Sequence, residues 1–169
     1  MRKKSSAIAL IYRNESIEIS WHPYAESECG VPEMYKRIVV PIDLSHAEQG
    51  REMAALAKKL ADPAAEIHLV NVIEEIPSYI VSELPKDLRE KSLENAKETL
   101  EEIAGSAGIE TPVSVRMGRV SSEIIAMADE HDADIIIIAS HRPGLQDLLL
   151  GSTAARVVRH SKHSVLVLR

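Results

Sequence analysis

Four consecutive isoleucines, Ile135 to Ile138, stand between Asp134 and a polar turn, Ala139-Ser140-His141-Arg142-Pro143-Gly144. An unbroken β-branched run of this kind reads as a strand buried on both faces, and such strands belong to parallel sheets covered by helices. The run leads through Leu148-Leu149-Leu150 into Gly151-Ser152-Thr153, which open a helix reaching His160. Small and hydroxyl-bearing residues where a strand ends and a helix begins leave N–H groups and hydroxyls facing one crevice, an arrangement suited to phosphate.

The remainder of the chain supports that reading by alternation. Tyr35 to Asp43 is an apolar first strand, with Pro41 at its carboxyl end where a ladder hydrogen bond can be spared. Ser45 and Glu48 have the spacing of a capping box, and Met53, Ala54, Leu56, Ala57 and Leu60 then share one helical face. Ala65 to Ile73 is a second strand whose apolar character His68 and Asn71 interrupt; His68 is assigned no functional role. A loop from Glu74 to Lys86 carries Tyr79, Ile80 and Val81, which could cover the sheet end; a charged helix follows from Asp87 to Ala104, its buried stripe marked by Leu88, Leu93, Ala96, Leu100 and Ile103. Pro112 to Met117 is a third strand ending at Gly118, and Ser121 is placed as the cap of a helix through His131. Ser164 to Leu168 is the final strand. Regular alternation predicts an α/β fold: a five-stranded parallel doubly wound sheet, Rossmann-like, in three α/β/α layers with right-handed crossovers.

Residues 1 to 33 differ from the rest. A basic start and the short apolar run Ala7 to Tyr12 outline a secretory signal, but Arg13-Asn14-Glu15 cut it short and no small-residue cleavage site follows. Ile17, Ile19 and Trp21 alternate with polar residues as a short edge strand would. The preferred division is a weakly ordered N-terminal extension over 1–33 and a single domain over 34–169.

Composition removes several partners. A formal charge of −6 argues against nucleic acid, whose affinity rests on many Lys and Arg contacts to phosphate, and a chain with 3% aromatic residues and no Phe lacks stacking platforms for single strands. The single cysteine, Cys29, allows no intramolecular disulfide and favours a reducing compartment. No apolar run reaches the roughly 18 to 20 residues that a membrane-spanning helix requires, so membrane insertion is not expected.

Ligands of doubly wound sheets bind beyond the carboxyl ends of the strands, where strand order reverses. Asp43, Gly118 and Ala139 to Arg142 would converge there. For an adenine nucleotide, an acid past the first strand accepts from ribose hydroxyls, Gly118 lets backbone approach closely, Gly151, Ser152 and Thr153 donate to phosphate, and Arg142 adds charge-assisted donors. Taken singly, Asp43 and Ser45 could equally be helix caps, and Gly118 only a turn.

At these residues the chain resembles the universal stress protein family: Met34 to Asp43, the Gly118 turn, Ile137-Ile138-Ala139-Ser140-His141-Arg142-Pro143, Leu149-Leu150-Gly151-Ser152-Thr153-Ala154-Ala155-Arg156-Val157-Val158-Arg159-His160 and Val165-Leu166-Val167. The resemblance covers Met34 to Arg169. It implies a five-stranded fold of the adenine nucleotide alpha hydrolase-like kind, a cytoplasmic setting, and a homodimer formed partly by antiparallel pairing of the last strands, Val165, Leu166, Val167 and Leu168. ATP-binding members of the family carry Gly-x2-Gly-x9-Gly-Ser/Thr after the fourth strand. Here the first glycine aligns with Ala139 and the second with Arg142, and the loop to Gly151 is one residue shorter, which leaves ATP versus AMP open. The resemblance implies ATP or AMP, with Mg as a companion ion. It places Asp43 on ribose, Val72 near adenine, and Ser140, His141, Arg142, Gly151, Ser152 and Thr153 near phosphate, and counts Pro41, Ile42, Ser45, Gly118 and Ala139 among the nucleotide-binding residues.

No Gly-x4-Gly-Lys-Ser/Thr loop is present, and no catalytic Ser/His/Asp or paired-carboxylate set follows from spacing, so no catalytic residue is assigned. The expected function is a nucleotide-binding stress-response regulator, dimeric, with at most slow hydrolysis or self-modification and with an unidentified protein partner. The alternative is a nucleotide hydrolase or nucleotidyl transferase of the same superfold. A flavodoxin-like or phospho-receiver domain is a third reading, weakened because receivers use more than one acid after the first strand and an Asp after the third, whereas this chain has Asp43 alone and Gly118.

Overall fold

A computed structural model describes residues 9–12, 35–74, 86–140 and 151–168. The strands, in chain order, are β1 (Ala9–Tyr12), β2 (Tyr35–Pro41), β3 (Ala61–Glu74), β4 (Ser114–Gly118), β5 (Ile135–Ala139) and β6 (Ser164–Leu168). The helices are α1 (Ala47–Leu60), α2 (Lys86–Ser106), α3 (Val120–Glu130) and α4 (Ser152–His160). All strand pairs are parallel, in the order β1-β6-β5-β2-β3-β4. The five expected strands are all present. The sixth, β1, lies within the short apolar run near the N-terminus, while Ile17, Ile19 and Trp21 fall outside the described residues, as do Tyr79, Ile80 and Val81 of the loop after β3.

The isoleucine run explains the layering. Side chains alternate across a strand, so Ile135 and Ile137 enter one core with Ile38, Val40, Met53, Ala57, Leu100 and Ile103, beneath α1 and α2. Ile136 and Ile138 enter the other with Val39, Val70, Ile124, Met127, Ala154 and Val157, beneath α3 and α4. None of the four is more than 5% exposed, and each buried isoleucine contributes about 2 kcal/mol of hydrophobic stabilisation. A polar substitution at any of them would therefore face a packed helix and no water.

Side chains at the sheet's amino end fix the register of this strand. The Asp134 carboxylate accepts from the Lys36 and Arg37 amides at 2.9 and 2.8 Å, and the Asp134 amide donates to the Arg37 carbonyl at 2.8 Å. The start of β5 is thereby tied to the start of β2.

Two helix starts differ from expectation. Ser45 does not cap α1: it sits in a 3-10 turn, Leu44–His46, that Asp43 caps by accepting the Ser45 amide, and α1 begins only at Ala47. Because the Ser45 hydroxyl is drawn to Asp43, no capping box with Glu48 forms, and Glu48 pairs with Arg51 instead. Ser121 lies inside α3 and is buried; the cap position is Arg119, whose carbonyl accepts from the Ser122 and Glu123 amides.

Candidate functional site

The strand order reverses at β2: β3 and β4 lie on one side of it, β5 and β6 on the other. A crevice opens at that boundary for a visible reason. The ladder between β2 and β5 pairs only Ile38 with Ile135 and Val39 with Ile136, whereas β2 keeps its register with β3 as far as Pro41 and Val70. Pro41 has no amide hydrogen to offer, and the register between the two strands ends at Val39 with Ile136. The gap leads to a cavity of about 380 Å³ beyond the carboxyl ends of the strands, within the range of small-molecule sites.

Its lining comes from separate parts of the chain. Pro41, Ile42 and Asp43 arrive from β2, and Val70, Asn71, Val72 and Glu74 from β3. Ile138 and Ala139 arrive from β5, and Gly151, Ser152, Thr153 and Ala154 from the start of α4. His46, Gln49, Gly50 and Met53 close one side from the 3-10 turn and α1; Val120 and Ile124 close the other from α3.

Asp43 is held in a small polar cluster. Its Oδ1 accepts from the Ser45 amide at 3.0 Å and the Ser45 hydroxyl at 2.6 Å, and its Oδ2 lies 3.2 Å from Nδ1 of His46, which is also 2.9 Å from the Ser45 oxygen. Partial burial works to raise the Asp43 carboxyl, but the Ser45 and His46 hydrogen bonds outweigh it and hold it below the usual carboxylate range. Asp43 therefore enters the cavity as an ionised acceptor with capacity left on Oδ2.

Asn71 sets where that acceptor stands. Its buried Nδ2 donates to the Ile42 carbonyl at 2.8 Å, and the Ile42 amide donates to the Val70 carbonyl at 2.8 Å. The polar residue that interrupts β3 thus clamps the chain just as it leaves β2.

In the same lining, Gly151 is the N-cap of α4, and Ser152 and Thr153 occupy its first turn. A helix start carries unpaired amides and a partial positive charge, which favours an anion. Ser140 does not line the cavity; its hydroxyl accepts from the Gly151 amide at 3.2 Å and its amide donates to the Leu168 carbonyl at 2.7 Å. It ties the end of β5 to both the start of α4 and the end of β6.

Of the residues singled out from sequence, the structure brings together Pro41, Ile42, Asp43, Val72, Ala139, Gly151, Ser152 and Thr153 around one cavity. Ser45 stands behind Asp43 rather than in the lining. Gly118 lies beside the cavity, opposite Glu74 in the β3–β4 ladder, with φ +146° and its bare α-carbon against Glu123. A Cβ there would meet the Glu123 Oε1 at 3.0 Å, so the close approach this glycine permits is to a side chain of α3. His141 and Arg142 lie outside the described residues. Val165 to Leu168 are not among the lining residues, and β1 is paired along their outer edge.

Sequence reading missed His46, Gln49, Gly50, Met53, Asn71 and Glu74. Asn71 carried a signal, since an amide within an apolar strand needs a partner. The residues of α1 carried none, because they read simply as helix.

Among the described residues no group of three His, Cys, Asp or Glu side chains could hold a metal ion, and no helix is long and apolar enough to cross a membrane.

A model of the universal stress protein family matches residues 34–169. Universal stress protein G of Salmonella typhimurium is 34% identical over 142 residues, covering 80% of this chain and 100% of that protein. Universal stress protein A homolog 2 of Coxiella burnetii is 33% identical over 141 residues, covering 80% of this chain and 95% of that one. Among solved structures, the hypothetical protein MJ0577 superposes with a TM-score of 0.68 at 31% identity, covering 81% of this chain and 98% of its own.

Proposed function

The chain belongs to the universal stress protein family, and from that premise we propose that it is a stress-response regulator whose cavity takes an adenine nucleotide. The observation that carries this reading is the convergence of an ionised Asp43 and the first turn of α4 on one crevice at the strand-order reversal. An anionic acceptor suits ribose hydroxyls; unpaired amides with the hydroxyls of Ser152 and Thr153 suit phosphate. In this reading Val72 lies against the adenine ring, and Ile138 and Ile124, which line the same cavity, offer further apolar contact. A universal stress protein structure that superposes on this chain with a TM-score of 0.55 at 24% identity is a complex with cAMP, a ligand of the same adenosine phosphate class.

In this reading Ser140 holds the phosphate-side helix in place, and His141 and Arg142 contribute to the phosphate end. Magnesium, if it accompanies a triphosphate, would be held chiefly by phosphate oxygens and water, as that ion commonly is. The regulator acts in the cytoplasm and passes its state to a protein partner, and the edge of Val165 to Leu168 is where a second copy would pair when that edge is free. Turnover is at most slow.

Isothermal titration calorimetry with ATP, AMP and cAMP tests the proposal. Saturable binding of at least one, weakened roughly 10-fold or more by Asp43→Ala as expected for a lost hydrogen bond to a charged group, supports it. Absence of binding by all of them at millimolar concentration removes it.

A further inference from the structure

The outer edge of β6 is already occupied. β1 runs parallel to it in the register Ala9 with Val165, Leu10 with Leu166, Ile11 with Val167 and Tyr12 with Leu168. We propose that β1 is a detachable cap on the edge through which a second copy of this chain would pair, so that the N-terminal segment sets whether the protein is a monomer or a dimer. This rests on the homodimer reading of β6.

The character of β6 makes the edge worth covering. Val165 and Val167 are 1% and 0% exposed in the core beneath α3 and α4, while Leu166 and Leu168 pack on the opposite core. Ser164 to Leu168 contains no charge and no proline. It therefore lacks the inward charges, prolines and bulges by which edge strands are protected from pairing with other chains. Whatever occupies that edge is decided by competition among strands.

β1 is built to compete and to leave. It spans only Ala9–Tyr12, and its principal neighbour among the described elements is β6. A strand of four residues held by one ladder belongs to the part of a structure that opens most easily. Yet β1 is tethered to β2 through residues 13–34, and a short tether gives an effective concentration on the order of millimolar. At micromolar protein the cap therefore prevails over a second copy. Both occupants need the same amides and carbonyls of Val165 to Leu168, so they exclude one another.

The tests use sedimentation velocity on the full chain, on a full chain carrying Leu10→Pro with Ile11→Pro, and on residues 34–169. The proline pair removes the adjacent amides of β1 whichever of them faces β6. Residues 34–169 are the portion matching the family, and Universal stress protein G of Salmonella typhimurium aligns over its whole length with 80% of this chain. Expected are a monomeric full chain at micromolar concentration and dimers for the other two, with dimer dissociation constants at least about 10-fold lower, together with slow amide exchange at Val165 to Leu168 in the full chain. Full chain and 34–169 dimerising equally would overturn the cap and leave the dimer standing. Monomers throughout would overturn the dimer reading and the cap with it. A dimeric full chain with monomeric 34–169 would make β1 the join rather than the cap, and overturn the inference.

Discussion

Replacing Asn71 by leucine, which keeps the branched shape and the number of side-chain heavy atoms but is bulkier and has no donor, removes the bond that holds the chain end of β2. Asn71 Nδ2 reaches the Ile42 carbonyl at 2.8 Å in a buried setting. The substitution leaves that carbonyl without its side-chain donor, and a buried polar group stripped of its partner costs about 1 to 3 kcal/mol. For a chain of this size that is a fall in midpoint temperature of about 2 to 12 °C. In urea the unfolding midpoint should drop with an unchanged slope, since the surface exposed on unfolding hardly differs. Nucleotide affinity should fall as well, because Asp43 follows Ile42 directly and loses its anchored position. A variant within about 0.3 kcal/mol of the parent, or a more stable one, would refute the view that this amide positions the site.

Gly118→Ala should cost about 1 to 3 kcal/mol for its positive φ alone, with the Cβ contact at 3.0 Å to Glu123 adding to it; Glu123→Ala in the same chain should recover only the contact part, as read by chemical denaturation. His68 supplies a pH dependence. It is 6% exposed, stacked on His131 with ring centroids 3.8 Å apart, and its Nε2 has no hydrogen bond, Glu66 standing 3.5 Å away in unsuitable geometry. Burial, then the charge of His131, push the His68 ring below the usual histidine range, with Glu66 opposing them. The unfolded chain therefore takes up a proton near pH 6.5 that the folded chain refuses, so stability is full above about pH 6.5 and falls as pH drops toward the folded value, by at most about 1.4 kcal/mol per pH unit. His68→Leu should flatten the difference between urea midpoints at pH 7 and pH 5.5; an identical pH dependence in both proteins would contradict it.

The layers and the parallel sheet were legible because Ile135 to Ile138 allow little else: a run apolar at every position must be covered on both faces. The reversal point was expected where Asp43, Gly118 and Ala139 to Arg142 end their strands; Asp43 and Ala139 do line the cavity there, whereas Gly118 stands outside its lining. Helix starts were less legible. Ser45 and Ser121 have the spacing of caps, but the carboxylate of Asp43 competes for the Ser45 hydroxyl, and tertiary packing buries Ser121. β1 escaped notice because a short apolar run in a basic segment has no periodicity long enough to separate strand from leader. The lining residues of α1 were hidden for a related reason: helical spacing identifies a buried face without saying whether the face meets a core or a cavity.

The most direct measurement is an amide NMR titration of the full chain with ATP and AMP. Shifts concentrated at Asp43, Asn71 to Glu74, Ala139 and Gly151 to Thr153, saturating at millimolar ligand or below, are the predicted result. Saturation without movement of Asp43 and the first turn of α4, or the absence of any saturable shift, would contradict the claim that this cavity receives a phosphorylated adenosine.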